Sequence, residues 1–370
     1  MGKNVLISGG AGFIGSHLAD ELLAHGHRVR ALDSLDPQVH RGGARPDYLN
    51  ADVELVRGDV RDREAVAAAL DGVDVVYHFA ARVGVGQSMY EIADYQSVNA
   101  HGTGILLEAL LDRPVEKLVV ASSMSVYGEG AYVDEGGRPC AAVERTRAQL
   151  ERGEWEPTGA GGERLRPIPT PETKQPALAS IYALGKYDQE RMCLIFGSAY
   201  GIPTVALRFF NVYGTRQALS NPYTGVLAIF ASRMLNGRSP LVFEDGEQRR
   251  DFVSVADVAR ACRLALERPD ADGRVLNVGS GRSVSVLEIF EELRLALDSD
   301  VEVEVTGKAR AGDIRHCFAD IGLAQDLLGF RPQVELGDGL RDLAEWLEGQ
   351  VAEDRVDVAA QELAARGLTL

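Results

Sequence analysis

The sequence is poor in cysteine and contains no long apolar run. Its 370 residues include only 4 cysteines, and Cys140, Cys193, Cys262 and Cys317 form no CxxC motif and no pairing with histidine at metal-ligand spacing. We therefore expect free thiols and no metal site. No apolar segment approaches the ~20 residues that cross a bilayer. A signal-peptide pattern is also missing, because the apolar segment from Val5 already has the character of a strand. These absences predict a cytoplasmic protein with no membrane partner.

Basic residues are scarce as well. There are 39 Lys and Arg against 55 Asp and Glu, a formal net charge of −16. Nucleic-acid binding needs a basic face, so this charge argues against a nucleic-acid partner. An anionic small molecule is still compatible with it, provided that arginines are concentrated locally. The 45% hydrophobic content excludes general disorder.

Short apolar strands alternate with helical stretches along most of the chain. Because the strands are apolar throughout, the pattern predicts an α/β fold with a Rossmann-type, doubly wound parallel sheet of about seven strands. The predicted strands are Val5–Ser8, Arg28–Asp33, Glu54–Arg57, Val73–Tyr77, Lys117–Ser122, Thr204–Phe210 and Arg274–Val278. The predicted helices are Gly12–Ala24, Arg63–Leu70, Val98–Leu111, Ile181–Tyr200 and Val255–Glu267, with another from the Ser285–Glu288 capping box.

The length favours two lobes rather than one core. We assign residues 1–211, together with 252–281, to a cofactor-binding domain. Residues 212–251 and 282–370 would form a smaller, discontinuous α/β substrate lobe with amphipathic helices over 337–370. Residues 129–176 interrupt the alternation of strands and helices and are rich in proline, glycine and charged residues. They form either a mobile loop or a folded insertion that caps the active site.

A glycine-rich loop joins the first strand to the first helix, in the sequence Gly9-Gly10-Ala11-Gly12-Phe13-Ile14-Gly15. Gly9 allows a tight turn, Gly12 allows close approach of a pyrophosphate, and Gly15 allows close helix packing. Such a loop can also be a plain strand–helix turn. Asp33 at the end of the second strand favours the cofactor interpretation, because its carboxylate accepts ribose hydroxyls and repels a 2′-phosphate. The loop and Asp33 together predict NAD rather than NADP. Asp59, where the third strand ends, is placed to hold the adenine.

Tyr182 and Lys186 lie four residues apart on one predicted helix and therefore on one face. A neighbouring ammonium favours the phenolate, which can take a proton from a sugar hydroxyl. Such a pair is common by chance. It gains weight because Ser122, Ser123 and Ser125 follow the end of a predicted strand, where Ser123 can hydrogen-bond the reacting hydroxyl. Turn-capping serines are the alternative interpretation.

These motifs resemble the extended short-chain dehydrogenase/reductases, specifically the NAD-dependent nucleotide-sugar epimerase/dehydratase family. The resemblance covers nearly the whole chain and keeps the family's order. The matching segments are Gly9–His17, Gly58–Asp62, His78–Ala81, Asn99, Ser122–Gly128, Tyr182–Lys186, Arg208–Gly214, Arg250–Val253 and Arg310–Asp313.

The resemblance implies a role for many individual residues. Ser123, Tyr182 and Lys186 would be catalytic. The expected NAD contacts are Gly9, Gly12, Phe13, Ile14, Gly15, Asp33, Ser34, Asp59, Val60, Phe79, Ala80, Ala81, Arg82, Asn99, Ser122, Tyr182, Lys186, Phe209 and Phe210. The expected contacts of a nucleoside-diphosphate sugar are Val85, Ser123, Ser125, Asn211, Arg216, Val226, Arg250, Arg310 and Asp313. Family members dimerise through helices equivalent to 98–112 and 181–200, so we also expect a homodimer.

The residues after Ser123 narrow the reaction. The family oxidises C4 of the sugar, and its dehydratases carry an Asp-Glu pair directly after the catalytic Ser or Thr. Here these positions are Met124 and Ser125, which are not acid–base groups at neutral pH. Decarboxylases usually have Glu at the second position. We therefore expect return of the hydride and net epimerisation at C4.

The substrate is less well determined. Ser34–His40, Thr170–Glu172 and Arg216–Gly225 are most similar to the subgroup of dTDP-L-rhamnose 4-epimerases, which interconvert dTDP-L-rhamnose and dTDP-6-deoxy-L-talose. UDP-hexose or UDP-glucuronate 4-epimerase, and nucleotide-sugar dehydratase or reductase, are the alternatives. A non-enzymatic NAD-binding protein would have no need for Ser123, Tyr182 and Lys186 together.

Overall fold

A seven-stranded, all-parallel sheet forms the centre of the protein, as described by a computed structural model that covers residues 2–221, 223, 225–310, 312–350 and 356–369. Its strands, in spatial order, are Val275–Val278, Thr204–Phe209, Lys117–Ser123, Val75–His78, Asn4–Ser8, Arg28–Asp33 and Glu54–Arg57. The order reverses beside Asn4–Ser8. Ligands of doubly wound sheets bind at the carboxyl edge near such a reversal. The predicted fold class is confirmed.

Helices cover both faces of this sheet, because its strands alternate their apolar side chains between two cores. One core contains Val5, Ile7 and Tyr77, and the other contains Leu6, Val76 and Leu118. The α-helices of the first 210 residues are Phe13–Ala24, Arg63–Ala69, Val85–Ser88, Ile92–Gln96, Gly102–Asp112, Arg147–Glu151 and Ile181–Tyr200. A π-turn over Ser97–His101 precedes Gly102–Asp112, so the helix predicted over Val98–Leu111 begins later as a regular α-helix.

A separate apolar cluster forms where the chain leaves the sheet. It includes Tyr213, Phe230, Phe290 and Leu340, all nearly or fully buried. The remaining helices are Val226–Leu235, Val255–Glu267, Val286–Ala296, Gly322–Leu328, Leu336–Leu347 and Val356–Ala365. The predicted capping box at Ser285 and Glu288 is confirmed, with both reciprocal hydrogen bonds present. The boundaries of the two proposed lobes stay a prediction.

Short strands connect these helices. Asn211–Tyr213 pairs with Phe252–Ser254, and Leu241–Val242 pairs with Glu304–Val305. Arg249–Arg250 lies between Val284–Ser285 and His316–Cys317.

The 129–176 insertion is folded. Ala131–Val133 is the central strand of a small antiparallel sheet with Pro139–Cys140 and Arg166–Ile168, and a one-turn helix spans Arg147–Glu151. Within the described residues, no helix is long and apolar enough to cross a membrane. The same part of the chain holds no group of three or more His, Cys, Asp or Glu side chains that could bind a metal ion. Pro222, Thr224, Ala311 and 351–355, which belong to segments named in the sequence analysis, lie outside the described residues.

Candidate active site

A cavity of about 700 Å³ opens at the carboxyl edge of the sheet. It runs from the glycine loop, past the ends of the sheet strands, to the helix Val226–Leu235 and the segment around Arg310. Of the site residues predicted from the sequence, all line this cavity except Asn99 and Arg216. The tertiary structure thus gathers the predicted groups in one place, and their individual roles stay predictions.

The glycine loop is compact enough to admit a dinucleotide phosphate. Gly9 has φ +73°, and a Cβ on Gly15 would lie 2.4 Å from the Gly9 carbonyl oxygen. Any side chain at Gly15 would therefore separate the helix from the loop. The helix Phe13–Ala24 begins here and directs its unpaired N–H groups at the cavity. This geometry fits the pyrophosphate of NAD.

Asp33 is fixed beside the loop. Its carboxylate accepts hydrogen bonds from the backbone N–H of Ala11 at 3.0 Å and of Leu35 at 2.9 Å. His40, which the sequence analysis did not single out, places its Nε2 3.6 Å from the same carboxylate. A buried carboxylate at this position fits the ribose hydroxyls of NAD and disfavours a phosphate. At the adenine end, the hydrogen bond from the Arg61 side chain lowers the pKa of Asp59 and keeps it ionised.

Ser123, Tyr182 and Lys186 all line the cavity. Ser123 Oγ accepts hydrogen bonds from the N–H and the hydroxyl of Ser125, at 3.1 and 2.9 Å. Burial raises the pKa of the Tyr182 phenol, and a hydrogen bond with Ser123 partly opposes that rise. Burial lowers the pKa of Lys186 to about 8. Burial thus brings the pKa of Lys186 closer to neutral pH.

A buried polar network lies behind Lys186. The Lys186 ammonium donates to Gln189 Oε1 at 2.7 Å. Gln189 Nε2 in turn donates to the Ala80 carbonyl and the Thr103 hydroxyl, both at 3.1 Å. His78 is neutral here, because burial lowers its pKa to about 3. Lys186 and Ala80 of this network were predicted as site residues, whereas Gln189 was not, because nothing in the local sequence around it marks it as polar core.

Ser122 points away from the reacting centre. Its hydroxyl donates to the Glu190 carboxylate at 2.6 Å, and Glu190 forms a buried ion pair with Arg208 at 2.7 Å. Ser122 therefore contributes to the cavity wall while its polar atom stabilises the packing of the Tyr182 helix.

Two of the predicted contacts do not line the cavity, and their roles stay predictions. Asn99 is fully buried, and its side chain accepts from the N–H of Arg82 and donates to the Arg82 carbonyl. Arg216 pairs with Asp20 of the first helix at 2.7 Å.

Arg250 and Arg310, which were also predicted to contact the substrate, do line the cavity. The Arg250 guanidinium donates to the backbone carbonyls of Arg249 and Arg315 at 3.0 and 2.9 Å. Arg310 pairs with Asp313 at 3.0 Å and lies over the Phe243 ring, 4.4 Å from its centroid. This is the local positive charge that an anionic substrate requires in so acidic a chain.

Comparison with known proteins agrees with this geometry. The profile of the "NAD dependent epimerase/dehydratase family" matches residues 5–146 and 158–279. The chain belongs to this family.

Individual relatives extend along nearly the whole chain. A dTDP-L-rhamnose 4-epimerase of Burkholderia thailandensis is 35% identical over 94% of this chain and 95% of its own. The crystal structure of a Thermotoga maritima UDP-glucose 4-epimerase with UDP-glucose has a TM-score of 0.76 at 31% identity, and covers 93% of this chain and 98% of its own. A Thermus thermophilus UDP-glucose 4-epimerase in complex with NAD has a TM-score of 0.75 at 33% identity, covering 94% of this chain and 100% of its own. These matches confirm the predictions of an NAD-dependent sugar-nucleotide epimerase and of NAD as the cofactor.

The cavity is lined by the helix Val356–Ala365 and not by the 129–176 insertion. No residue of the 129–176 insertion lines it, so the suggested cap over the sugar pocket is wrong. The insertion instead contacts the strand His316–Cys317 and its flanking residues, through a bridge between Thr170 and Ala319 and hydrogen bonds from Arg315 and His316 to Glu129. The C-terminal helix Val356–Ala365 does line the cavity.

Proposed function

We propose that this protein is a nucleotide-sugar 4-epimerase that interconverts dTDP-L-rhamnose and dTDP-6-deoxy-L-talose through a 4-keto sugar. The observation that carries the reaction type is that Ser123, Tyr182 and Lys186 line one cavity, while the residues that follow Ser123 are Met124 and Ser125.

Tyr182 is the group that takes the proton from the C4 hydroxyl. Its raised pKa makes the phenolate costly in the free protein, so a positive neighbour is required to favour ionisation. The Lys186 ammonium, four residues on, supplies that charge. Ser123 donates to or accepts from the same C4 oxygen and holds it against Tyr182. NAD, if held by the glycine loop and Asp33, would supply a reversible hydride acceptor for C4.

The surroundings of Ser123 favour epimerisation over elimination or decarboxylation. Loss of water from C5 and C6 needs a second acid–base pair. Met124 is a buried thioether, and the Ser125 hydroxyl is hydrogen-bonded to Ser123. Because no such pair stands at these positions, we expect the 4-keto sugar to be reduced again at C4. Protonation of its oxygen by Tyr182 then completes the inversion.

The sugar and nucleotide are the finer part of the proposal. The support for dTDP-L-rhamnose is the 35% identity to the Burkholderia enzyme over nearly the full length, together with the similarity of Ser34–His40 and Arg216–Gly225 to that subgroup. A UDP-glucose 4-epimerase is the second candidate, favoured by the solved relatives from Thermotoga and Thermus.

The test is to incubate the purified protein with dTDP-L-rhamnose, UDP-glucose and UDP-glucuronate separately and to follow C4 inversion by NMR. We expect an equilibrium mixture of dTDP-L-rhamnose and its C4 epimer without added NAD, because the cofactor is regenerated in each turnover. Inversion of a UDP-sugar alone would refute the rhamnose assignment. Release of water or CO₂ would refute epimerisation.

We also propose that the protein is a homodimer. The helix Ile181–Tyr200 exposes Ile195 at 60% and Tyr200 at 61%, whereas its Cys193 and Phe196 belong to the chain's own core. Light scattering of the eluted protein tests this, and a monomer at micromolar concentration would contradict it.

A further inference from the structure

The last helix of the chain turns one face into the cavity. Val356, Ala359, Ala360 and Leu363 all line it, and their spacing of three, four and seven residues places them along a single helical stripe. The opposite face is solvated, with Val358 60% exposed. The cavity wall formed by this stripe is entirely apolar.

Side-chain contacts fasten this helix on two sides of the cavity. On one side, Tyr90 donates a hydrogen bond to Glu362 at 2.9 Å, and the Arg366 guanidinium lies 4.2 Å from the centroid of the Tyr90 ring. On the other side, Asp357 pairs with Arg233 at 2.6 Å and with Arg238 at 3.0 Å. The helix is therefore held near both of its ends, by Asp357 at one end and by Glu362 and Arg366 at the other.

Leu363 contacts a turn that is itself in contact with the helix of Tyr182. A Cβ on Gly86 would be 3.3 Å from a Leu363 methyl group, which places Leu363 in van der Waals contact with that turn. The same turn, Val85–Ser88, touches the catalytic helix, where the N–H of Tyr182 donates to Ser88 Oγ at 3.1 Å. Val85 and Leu363 thus line the part of the cavity wall that adjoins the turn packed against the Tyr182 helix.

This end of the cavity suits an apolar substituent. Arg82, a nearby cation of the cavity wall, is already engaged by Asp36, Glu91 and Asp94, at 3.8, 3.0 and 2.5 Å. The apolar side chains of Val85 and of the helix stripe offer a carboxylate no hydrogen-bond donor. A carboxylate placed there would lose its hydration, which is unfavourable, whereas a methyl group would gain contact area.

We propose that the helix Val356–Ala365 is part of the substrate-binding site, with Leu363 as a specificity-determining contact that selects a 6-deoxy sugar by packing on its C5 methyl group. This deepens the proposed function and rests on it.

The experiment compares Leu363→Ala, Leu363→Met and Leu363→Arg with the unaltered protein. Initial rates are measured with dTDP-L-rhamnose, and dissociation constants with UDP-glucose and UDP-glucuronate, which share a nucleotide and differ at C6. We expect Leu363→Ala to raise KM for dTDP-L-rhamnose about 10-fold with kcat changed less than about 2-fold, as is typical for a lost methyl contact. Leu363→Met, of similar volume, should stay within about 3-fold. Leu363→Arg should tighten UDP-glucuronate relative to UDP-glucose.

Val358→Ala, on the exposed face of the same helix, is the matched control and should change nothing. Bound NAD, released by denaturation and measured by absorbance, should stay constant in every variant, because the residues that line the glycine-loop end are unaltered. An unchanged KM in Leu363→Ala would overturn the inference while leaving the epimerase intact. Equal losses of kcat for Val358→Ala and Leu363→Ala would overturn it too, since they would indicate a general role in folding. If the unaltered protein inverts none of the three sugars, the proposed function fails and the inference fails with it.

Discussion

Arg145 of the insertion donates a hydrogen bond to the Glu244 carboxylate at 2.7 Å, and both side chains are almost completely buried. Arg145 also donates to the Asp313 carbonyl at 2.9 Å, and Arg315 contacts the second oxygen of Glu244 at 3.0 Å. The insertion is thus bound by charge to the segment that carries Arg310 and Asp313. The insertion thus contacts a segment that lines the cavity, although it lines no part of the cavity itself.

Glu244→Gln should destabilise the protein. A buried arginine that loses its carboxylate costs about 3–5 kcal/mol, and here two arginines share that partner. We expect a clearly lower midpoint of urea unfolding. Arg138→Ala is the control within the same insertion, because its pair with Asp134 is exposed and exposed pairs contribute less than about 1 kcal/mol. Equal urea midpoints for Glu244→Gln and Arg138→Ala would show that the buried ion pairs of Glu244 do not stabilise the protein.

Tyr182→Phe should abolish turnover while keeping the cofactor. Removing a general acid–base typically lowers the rate by about 10²–10⁴-fold, and loss of one hydroxyl leaves the glycine loop untouched. Tyr200→Phe on the same helix is exposed and should be fully active. NMR rates with dTDP-L-rhamnose and the NAD released on denaturation measure both properties. A Tyr182→Phe variant that retains near-normal turnover would refute the assignment of the base.

The pH dependence of turnover should show an alkaline limb near pH 8. Burial lowers the pKa of Lys186 to about 8, so the ammonium is present below that pH and is lost as pH rises through it. The electrostatic support of the Tyr182 phenolate disappears with it, and kcat should fall above about pH 8. In Lys186→Arg the charge persists, because a guanidinium does not titrate in this range, and any remaining activity should lack the limb. A wild-type profile that stays flat to pH 10 would contradict this role of Lys186.

Arg310 and Arg216 should behave differently although the sequence suggested the same role for both. Arg310 lines the cavity, whereas Arg216 is paired with Asp20 outside it. Arg310→Ala should raise KM for dTDP-L-rhamnose by roughly 10-fold or more, as expected for a lost hydrogen bond to a charged group. Arg216→Ala should leave KM within about 2-fold. A larger effect from Arg216→Ala would place the diphosphate elsewhere.

Much of the site was predictable because its residues lie at fixed positions relative to regular elements. The glycine loop follows the first strand, Asp33 ends the second, and Tyr182 and Lys186 share a helical face, so their types and spacing already define their surroundings. Asn99 and Arg216 do not line the cavity, and their local sequence could not predict this. Each lies in a matching motif, but the direction of its side chain depends on Arg82 and Asp20, which are distant in sequence.

The sequence by itself determined the parallel sheet, the cofactor loop, the catalytic trio and the missing acid–base pair after Ser123, because periodicity and local spacing encode all four. Only the tertiary structure decided what encloses the substrate. The insertion looked like the cap because it connects Ser123 to Tyr182 along the chain, yet its arginine and glutamate partners hold it against the outer side. Leu363 and its helix line the cavity instead, although they are far from Tyr182 in sequence. Which segments line the cavity depends on contacts between residues that are distant in sequence, and local sequence patterns do not encode such contacts.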